Sequence, residues 1–560
     1  MEKIWLRHYD PGVPSSLDYP RVPLFRLLEQ SADRFPDRIA TSFFGATLTY
    51  RELDGLANRF AHALRDLGIA KGDRVGLLLP NCPQFVICYY GALKAGATVV
   101  ATNPLYVERE VENQFNDSGI RLAVVFSRRY PLVRAIRGRT PALEKVIVTN
   151  IKDYFPTLLR LLYTIAKEKK EGDRQPPQDG DLDLLSMLRF APDVRPVVDI
   201  GPDDVALLQY TGGTTGIPKA AVASHFNLVA DTLQLKAWLG IGDDHSARFL
   251  GVIPFFHVYG MVACMSIALA TGSTLYLHPK FDIKDVLKTI QDEKIDYFPG
   301  VPTMYVAVNN SPLTPNYNLR AIKACVSGAA PLPLEVKRKF EGLTGGKLLE
   351  GYGLSEAPTA THANPLNGLN KEGSIGLPFP DVDCKIVDVA DGVTEMPIGQ
   401  PGELCIRAPE VMQGYWKRPK ETEIALRDGW LHTGDIAKVD EDGYFYIVDR
   451  KKDMIISGGY NVYPRDVEEV LFMHPKVKEA AVAGIPDAKW GETVAAFVVL
   501  KEGETATPDE IREFCRERLA AYKVPSAIEF RDALPKTLVG KVLRRVLTEE
   551  ARKKSLVPSP

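Results

Sequence analysis

The ten residues Tyr210-Thr211-Gly212-Gly213-Thr214-Thr215-Gly216-Ile217-Pro218-Lys219 gather three glycines, three threonines and a lysine. Glycines let backbone N–H groups approach an anion with no Cβ in the way. Threonine hydroxyls add donors, and Lys219 adds a compact positive charge. That combination suits the cradling of a phosphate. A Walker A loop would end in Gly-Lys-Ser/Thr, whereas Pro218-Lys219-Ala220 stands here, so that mode is excluded. The plain alternative is a Gly/Thr-rich surface turn.

Four other segments carry chemistry. Leu349-Glu350-Gly351-Tyr352-Gly353-Leu354-Ser355-Glu356 offers a tyrosine ring for stacking on a base and a carboxylate suited to Mg²⁺. A structural turn would explain its glycines equally well. In Asp428-Gly429-Trp430-Leu431-His432-Thr433-Gly434-Asp435, the last carboxylate has room for two hydroxyl donors. His257, in Ile253-Pro254-Phe255-Phe256-His257-Val258-Tyr259-Gly260, sits in an apolar setting where a satisfied core histidine is the ordinary reading. Lys541 follows a glycine in a basic tail and is unremarkable alone.

The elements that must position these residues alternate. Asp204–Gln209 reads as a buried strand leading into the phosphate segment, which makes a strand–loop–strand or strand–loop–helix corner. Residues 22–70 read as helix, hairpin, helix, with Thr49 and Glu52 in a capping-box pattern. Val75–Pro80 and Ala97–Ala101 read as parallel strands around a helix at 84–95. This rhythm predicts an α/β fold with doubly wound sheets. Residues 376–450 are turn-rich with short β runs, which predicts a small β-barrel or meander. From Arg465 a small α+β unit follows: helix 465–473, strands 477–485 and 493–500, helix 508–519, strand 527–531 and a basic helix from 541. The charged run Asp449-Arg450-Lys451-Lys452-Asp453 separates these two blocks, as an interdomain hinge would. The expected division is therefore 1–449 for a large N-terminal domain, 450–453 for the hinge and 454–560 for a mobile C-terminal domain.

Composition narrows the classes. A chain of 560 residues exceeds one ordinary core. With 69 Lys+Arg against 71 Asp+Glu, bulk charge gives no case for nucleic-acid binding. The seven cysteines, at 82, 88, 264, 325, 384, 405 and 515, form no Cys-x-x-Cys pair, so neither zinc nor a disulfide framework is indicated and a reducing, cytoplasmic setting is expected. No signal-peptide core, membrane-span-length apolar run or lipidation signal is expected. In residues 154–170, Leu158, Leu161, Leu162 and Ile165 share one helical face ahead of Lys167-Glu168-Lys169-Lys170. An ordinary surface helix is the plain reading. Peripheral contact with an anionic membrane is the alternative.

The order of residues in 210–219 resembles the signature loop of the adenylate-forming superfamily, which includes acyl-CoA synthetases, firefly luciferase and peptide-synthetase adenylation domains. Matching segments run in family order from Leu48 to Lys541, ending in Pro535-Lys536-Thr537-Leu538-Val539-Gly540-Lys541. The stretch from Asp428 through Lys452 is similar to the fatty-acyl-CoA synthetase signature. The resemblance implies two steps. A carboxylate attacks the α-phosphate of ATP to give an acyl-adenylate and pyrophosphate, and CoA thiol then displaces AMP. It implies that Thr211, Thr214, Thr215 and Lys219, with the backbone of Gly212, Gly213 and Gly216, hold the β,γ-phosphates. Glu356 would bind Mg²⁺, Tyr352 the adenine, and Asp435 and Arg450 the ribose. Gly328, Ala329, Ala330, Gly351, Gly353, Ser355 and Ile447 join that ATP-binding set. Lys541 would contact the α-phosphate and carboxylate, and His257 would line the acyl site. Thr211, His257, Glu356 and Lys541 are thus the catalytic set. Lys452 would be the hinge and Gly458-Gly459 would approach the pantetheine of CoA.

The leading expectation is a bacterial-type long-chain fatty acid–CoA ligase acting on fatty acid, ATP and CoA, with a homodimer left open. A medium-chain or aryl-acid CoA ligase is the alternative within the class. A non-catalytic ATP/acyl-CoA-binding regulator is the alternative outside it. The Pro254-Phe255-Phe256-His257 segment carries no aspartate, whereas the resemblance implies an acid near there in amino-acid-activating relatives, which argues against amino-acid substrates. The apolar run Met261–Leu269 reads either as an acyl-channel wall or as a buried helix.

Overall fold

The alternation expected near the N-terminus is present in the protein, for which a computed structural model describes residues 2–178, 180–211, 218–242, 246–451, 453–457, 460–487, 491–537 and 542–555. Helix Phe25–Arg34 leads into the hairpin Ile39–Phe43/Ala46–Thr49 and then helix Tyr50–Asp66. The Thr49 side chain accepts from the Glu52 N–H at 3.2 Å, and Glu52 accepts in return from the Thr49 N–H at 2.8 Å. This reciprocal cap satisfies two donors that the first helical turn leaves unpaired.

The chain divides into two compact units. The larger holds Leu6–Asp383 and Arg407–Leu431, and the smaller holds Met1–Trp5, Cys384–Ile406 and His432–Pro560. In the larger unit, Val205–Thr211, Thr98–Ala101, Arg74–Leu78, Ile120–Phe126, Lys145–Thr149 and Leu182–Asp183 lie side by side as parallel strands. Lys219–Ser224 and then Gly414–Tyr415 extend this sheet as antiparallel strands at one edge. A second sheet orders Arg248–Gly251, Thr274–Leu277, Ile39–Phe43 and Ala46–Thr49, and a third orders Ala324–Ser327, Lys347–Leu354, Ala357–Ala363 and Leu377–Pro378. Tyr297 bridges Phe249 and Ala324 and so joins the second and third sheets edge to edge. Continuous apolar runs such as Val75–Leu79 and Val99–Val100 are fully buried, as strands covered on both faces require.

Helix Pro83–Lys94 is buried along its whole length, including its last residue. Lys94 is fully enclosed, with its ammonium 2.9 Å from Glu29, 2.6 Å from the Asn58 side-chain oxygen and in contact with Asp54. Three helices are pinned there by one charge, and an unpaired charge at such depth costs several kcal/mol (about 3–5). The apolar run after His257 forms a π-helix, Met261–Ser266, continued by Ile267–Ala270. Its side chains through Leu269 are buried, in keeping with the buried-helix alternative.

The turn-rich stretch forms a sheet in which, within the smaller unit, Asp435–Val439 pairs with Phe445–Arg450. The α+β block follows the expected order: Pro464–Phe472, Val477–Asp487, Gly491–Leu500, Pro508–Arg516, Ala527–Phe530 and Arg544–Ser555. The last helix begins three residues later than expected, at Arg544.

Candidate active site

Of the two corners open for the 210–219 segment, the protein uses strand–loop–strand. Val205–Thr211 and Lys219–Ser224 pair antiparallel, with Thr211 directly opposite Lys219. The Thr211 hydroxyl donates to the Lys219 carbonyl at 3.3 Å and closes the base of the loop. Thr211 lies at the C-terminal end of a strand in a largely parallel sheet, where ligands bind in open α/β folds. Gly212, Gly213, Thr214, Thr215 and Gly216 lie outside the described residues, as do Lys452, Gly458, Gly459 and Lys541.

Glu356 sits in a two-residue hairpin turn with Ser355, because Leu354 pairs with Ala357. The Glu356 carbonyl accepts from the Met412 N–H at 2.8 Å, while Gln413 and Trp416 donate to Val222 and Ala220 at 2.9 and 2.8 Å. The segment 412–416 therefore stitches the Glu356 turn onto the strand that begins at Lys219. Between them lies Tyr415. Its hydroxyl donates to Glu356 Oε1 at 2.7 Å, and its ring centroid is 5.3 Å from Lys219 Nζ. Burial, reinforced by the Glu356 carboxylate, pushes the Tyr415 phenol well above its ordinary range, so it stays a donor.

Among the described residues no cluster of three His, Cys, Asp or Glu side chains is placed to hold a metal ion. One carboxylate nonetheless fits Mg²⁺, which keeps several waters and takes its other ligands from phosphates. Glu356 is such a group: half-buried, oriented through one oxygen by Tyr415, and bonded by no other described side chain.

Tyr352 is half-buried opposite His362, with ring centroids 5.8 Å apart and edge to face. Its flanking glycines have a packing reason. A Cβ on Gly353 would lie 1.7 Å from the Thr359 carbonyl oxygen, and one on Gly351 would lie 2.9 Å from Val326. The strand Ala324–Ser327 runs parallel to Lys347–Leu354, with Ser327 opposite Glu350. Gly328, Ala329 and Ala330 thus leave the sheet beside Gly351, at the C-terminal end of Ala324–Ser327. Ala329 takes φ +67°, a left-handed conformation that a residue with a Cβ pays for with about 1–3 kcal/mol. A Cβ on Gly328 would lie 3.1 Å from the Tyr259 ring, a tight contact.

His257 joins this neighbourhood through its successor, since the Thr359 hydroxyl donates to the Val258 carbonyl at 2.6 Å. Buried Asn81 holds the preceding loop. It donates to the Gly251 and Ile253 carbonyls at 3.0 and 2.8 Å and accepts from the Phe255 N–H at 2.9 Å. Burial lowers the His257 imidazole to about 4, so the ring is neutral at pH 7.

In the smaller unit, Arg450 lies opposite Asp435, with Nε 3.0 Å from the carboxylate. Asp435 is 4% exposed. Ile447 is half-buried on the same strand as Arg450, and its carbonyl accepts from Arg465 at 2.7 Å. Buried Glu403 accepts from the Gly434 N–H at 3.2 Å and lies 3.2 Å from Lys451 Nζ. Asp449 is raised by burial to about 6, against the pull of Arg544. Arg544 in turn lies 2.8 Å from Glu468 and 3.3 Å from Asp453.

Sequence reasoning did not single out Tyr415, Asn81 or Glu403. Gly414-Tyr415-Trp416 carries no pattern that marks the tyrosine, and only the edge-strand pairing brings it to Glu356.

The model of the AMP-binding enzyme family matches residues 28–416, and that of the AMP-binding enzyme C-terminal domain matches residues 466–541. The chain is 46% identical over 552 residues, 98% of each chain, to a long-chain-fatty-acid–CoA ligase of Bacillus subtilis. It is 38% identical, over 99% of each chain, to the enzyme of the same name from Escherichia coli. ATP-bound MatB from Rhodopseudomonas palustris superposes with a TM-score of 0.84 at 29% identity, over 96% of this chain and all of that one.

The histidine environment gives a direct test. In a histidine-selective NMR titration, His257 should show a midpoint near 4, below the ordinary 6.5. Because the folded value is the lower one, His257 costs stability progressively as pH falls from about 6.5 towards 4. A midpoint of 6 or above would place the ring in water.

Proposed function

Because the chain belongs to the AMP-binding enzyme family, we propose that it is an AMP-forming acid–thiol ligase that joins a long-chain fatty acid to coenzyme A through an acyl-adenylate. The observation that carries this reading is 46% and 38% identity, over nearly the whole chain, to long-chain-fatty-acid–CoA ligases.

The site residues take roles that suit the two steps. Thr211 and Lys219 anchor the phosphate loop and, with Thr214 and Thr215, hold the β,γ-phosphates of ATP. Glu356 binds Mg²⁺, which when bound neutralises phosphate charge as pyrophosphate departs. Tyr352 stacks on the adenine beside Gly328–Ala330, and Asp435 with Arg450 receives the ribose. His257, held neutral, lines the carboxylate site without adding a charge. Lys541 stabilises the charge that builds on the α-phosphate and the entering carboxylate. The C-terminal domain, 454–560, then turns about 450–453 and exchanges Lys541 for the Gly458-Gly459 segment beside the CoA thiol.

A second part of the reading concerns the source of the fatty acid. Helix Thr157–Ala166 buries no residue. Leu158, Leu161, Leu162 and Ile165 are 70%, 56%, 54% and 77% exposed on one face. The helix is seated by its other face, where Tyr163 bonds Asp173 and packs 5.5 Å from Phe155. The acid of the following tail, Glu168, turns inward to Lys152 at 2.7 Å, which leaves Lys167, Lys169 and Lys170 outward. Apolar face and outward cations together suit an anionic lipid surface. Among the described residues no helix is long and apolar enough to cross a membrane.

Pyrophosphate release with ATP and Mg²⁺ should depend on palmitate or oleate, with CoA consumed, across a panel that includes acetate, octanoate, benzoate, 4-coumarate and amino acids. Turnover confined to aryl or short acids would overturn the substrate class, and silence with ATP still bound would favour a non-catalytic regulator. Lys541→Ala should abolish adenylation yet keep thioester formation from supplied acyl-adenylate. Equal loss in both half-reactions would remove its role. The protein should co-sediment with phosphatidylglycerol vesicles, and Leu161→Glu with Ile165→Glu should release it. No sedimentation of the unsubstituted protein, with or without anionic lipid, would end the membrane reading.

A further inference from the structure

We propose that Tyr415 is a positioning residue that couples the metal-binding carboxylate Glu356 to the phosphate-loop lysine Lys219. The inference rests on the ATP-site reading above and deepens it.

Three contacts converge on this one side chain. The hydroxyl donates to Glu356 Oε1 at 2.7 Å, the ring faces the Lys219 ammonium at 5.3 Å, and the backbone N–H is held by the Thr422 hydroxyl at 2.9 Å. The backbone is fixed from both sides. Tyr415 pairs with Ala221 in the sheet, and Met412, three residues earlier, donates to the Glu356 carbonyl. A glycine precedes it at φ +143°, with Thr422 2.6 Å from where its Cβ would stand. Any larger residue at 414 would push the strand off Thr422. Buried Ala221, Ala357 and Met412 pack as one apolar cluster with Tyr415 against it.

The consequence follows from charge. Glu356 and Lys219 are of opposite sign and both belong beside the phosphates. Left to each other they would form an ion pair, and neither would be presented to MgATP. Tyr415 stands between them and gives each a different partner. The phenol takes one carboxylate oxygen and leaves the other for the cation. The π face attracts the ammonium without neutralising it. The hydroxyl and the ring therefore have separable effects: the first governs Mg²⁺, the second the anion.

The test measures ATP binding by calorimetry on the full-length protein without fatty acid, at a series of Mg²⁺ concentrations. Tyr415→Phe keeps the ring and loses the hydroxyl. It should raise the Mg²⁺ concentration needed for half-maximal ATP binding by about 10-fold or more, as loss of a partner behind a metal ligand does, with excess Mg²⁺ restoring affinity. Tyr415→Leu should show the same shift and also weaken ATP binding at saturating Mg²⁺. In a Glu356→Gln background, Tyr415→Phe should add no further shift. An unchanged Mg²⁺ midpoint in Tyr415→Phe overturns the coupling, and so does a loss of ATP affinity that Mg²⁺ does not rescue. An unsubstituted protein that does not bind ATP with Mg²⁺ overturns the ATP-site reading and this inference with it.

Discussion

The antiparallel pairing of Val205–Thr211 with Lys219–Ser224 is the constraint on which the larger unit's site depends. A parallel sheet would carry the chain away from the loop along a helix. Here it returns at once, so the first and last residues of the loop, Thr211 and Lys219, are held face to face. The returning strand is also a new sheet edge, and the chain uses it. Gly414–Tyr415, almost 200 residues on, adds to that edge and carries the Glu356 hairpin with it. An edge strand left bare is a liability for aggregation. Here covering the edge and assembling the site are the same act.

Backbone strain and close approach occur together in the third sheet. Ala329 holds a left-handed backbone, and Gly353 has a carbonyl where a Cβ would stand. The turn after Ser327 and the close approach of Gly353 to Thr359 lie on neighbouring strands of one sheet. His257 joins this arrangement as a half-buried ring kept neutral by burial.

In the smaller unit, ion pairs gather around the charged run 449–453. Asp449, Asp453 and Glu468 surround Arg544, and Glu403 gathers Lys451 and the Gly434 N–H. The run 449–453 looks like a solvated loop in sequence, yet Asp449 is buried and raised to about 6. Arg450, Lys451 and Asp453 are partnered in turn by Asp435, Glu403 and Arg544.

The sequence by itself determined the order of the elements and the family, and it supplied most of the residues proposed for the site. Such features are local: glycine spacing, capping pairs such as Thr49–Glu52, and apolar runs that mark parallel strands follow from a few neighbouring residues. It also left open whether the phosphate segment turns into a strand or a helix, because both begin with the same apolar Ala220–Ala223. The tertiary structure decided what is non-local. The pairing of segment 412–416 with residues 220–222 brought Tyr415 to Glu356. Burial made His257 neutral, and the inward turn of Glu168 left only cations on the outer side of its tail. Each of these depends on what comes to lie beside a residue from far along the chain, and neither spacing nor composition carries that information.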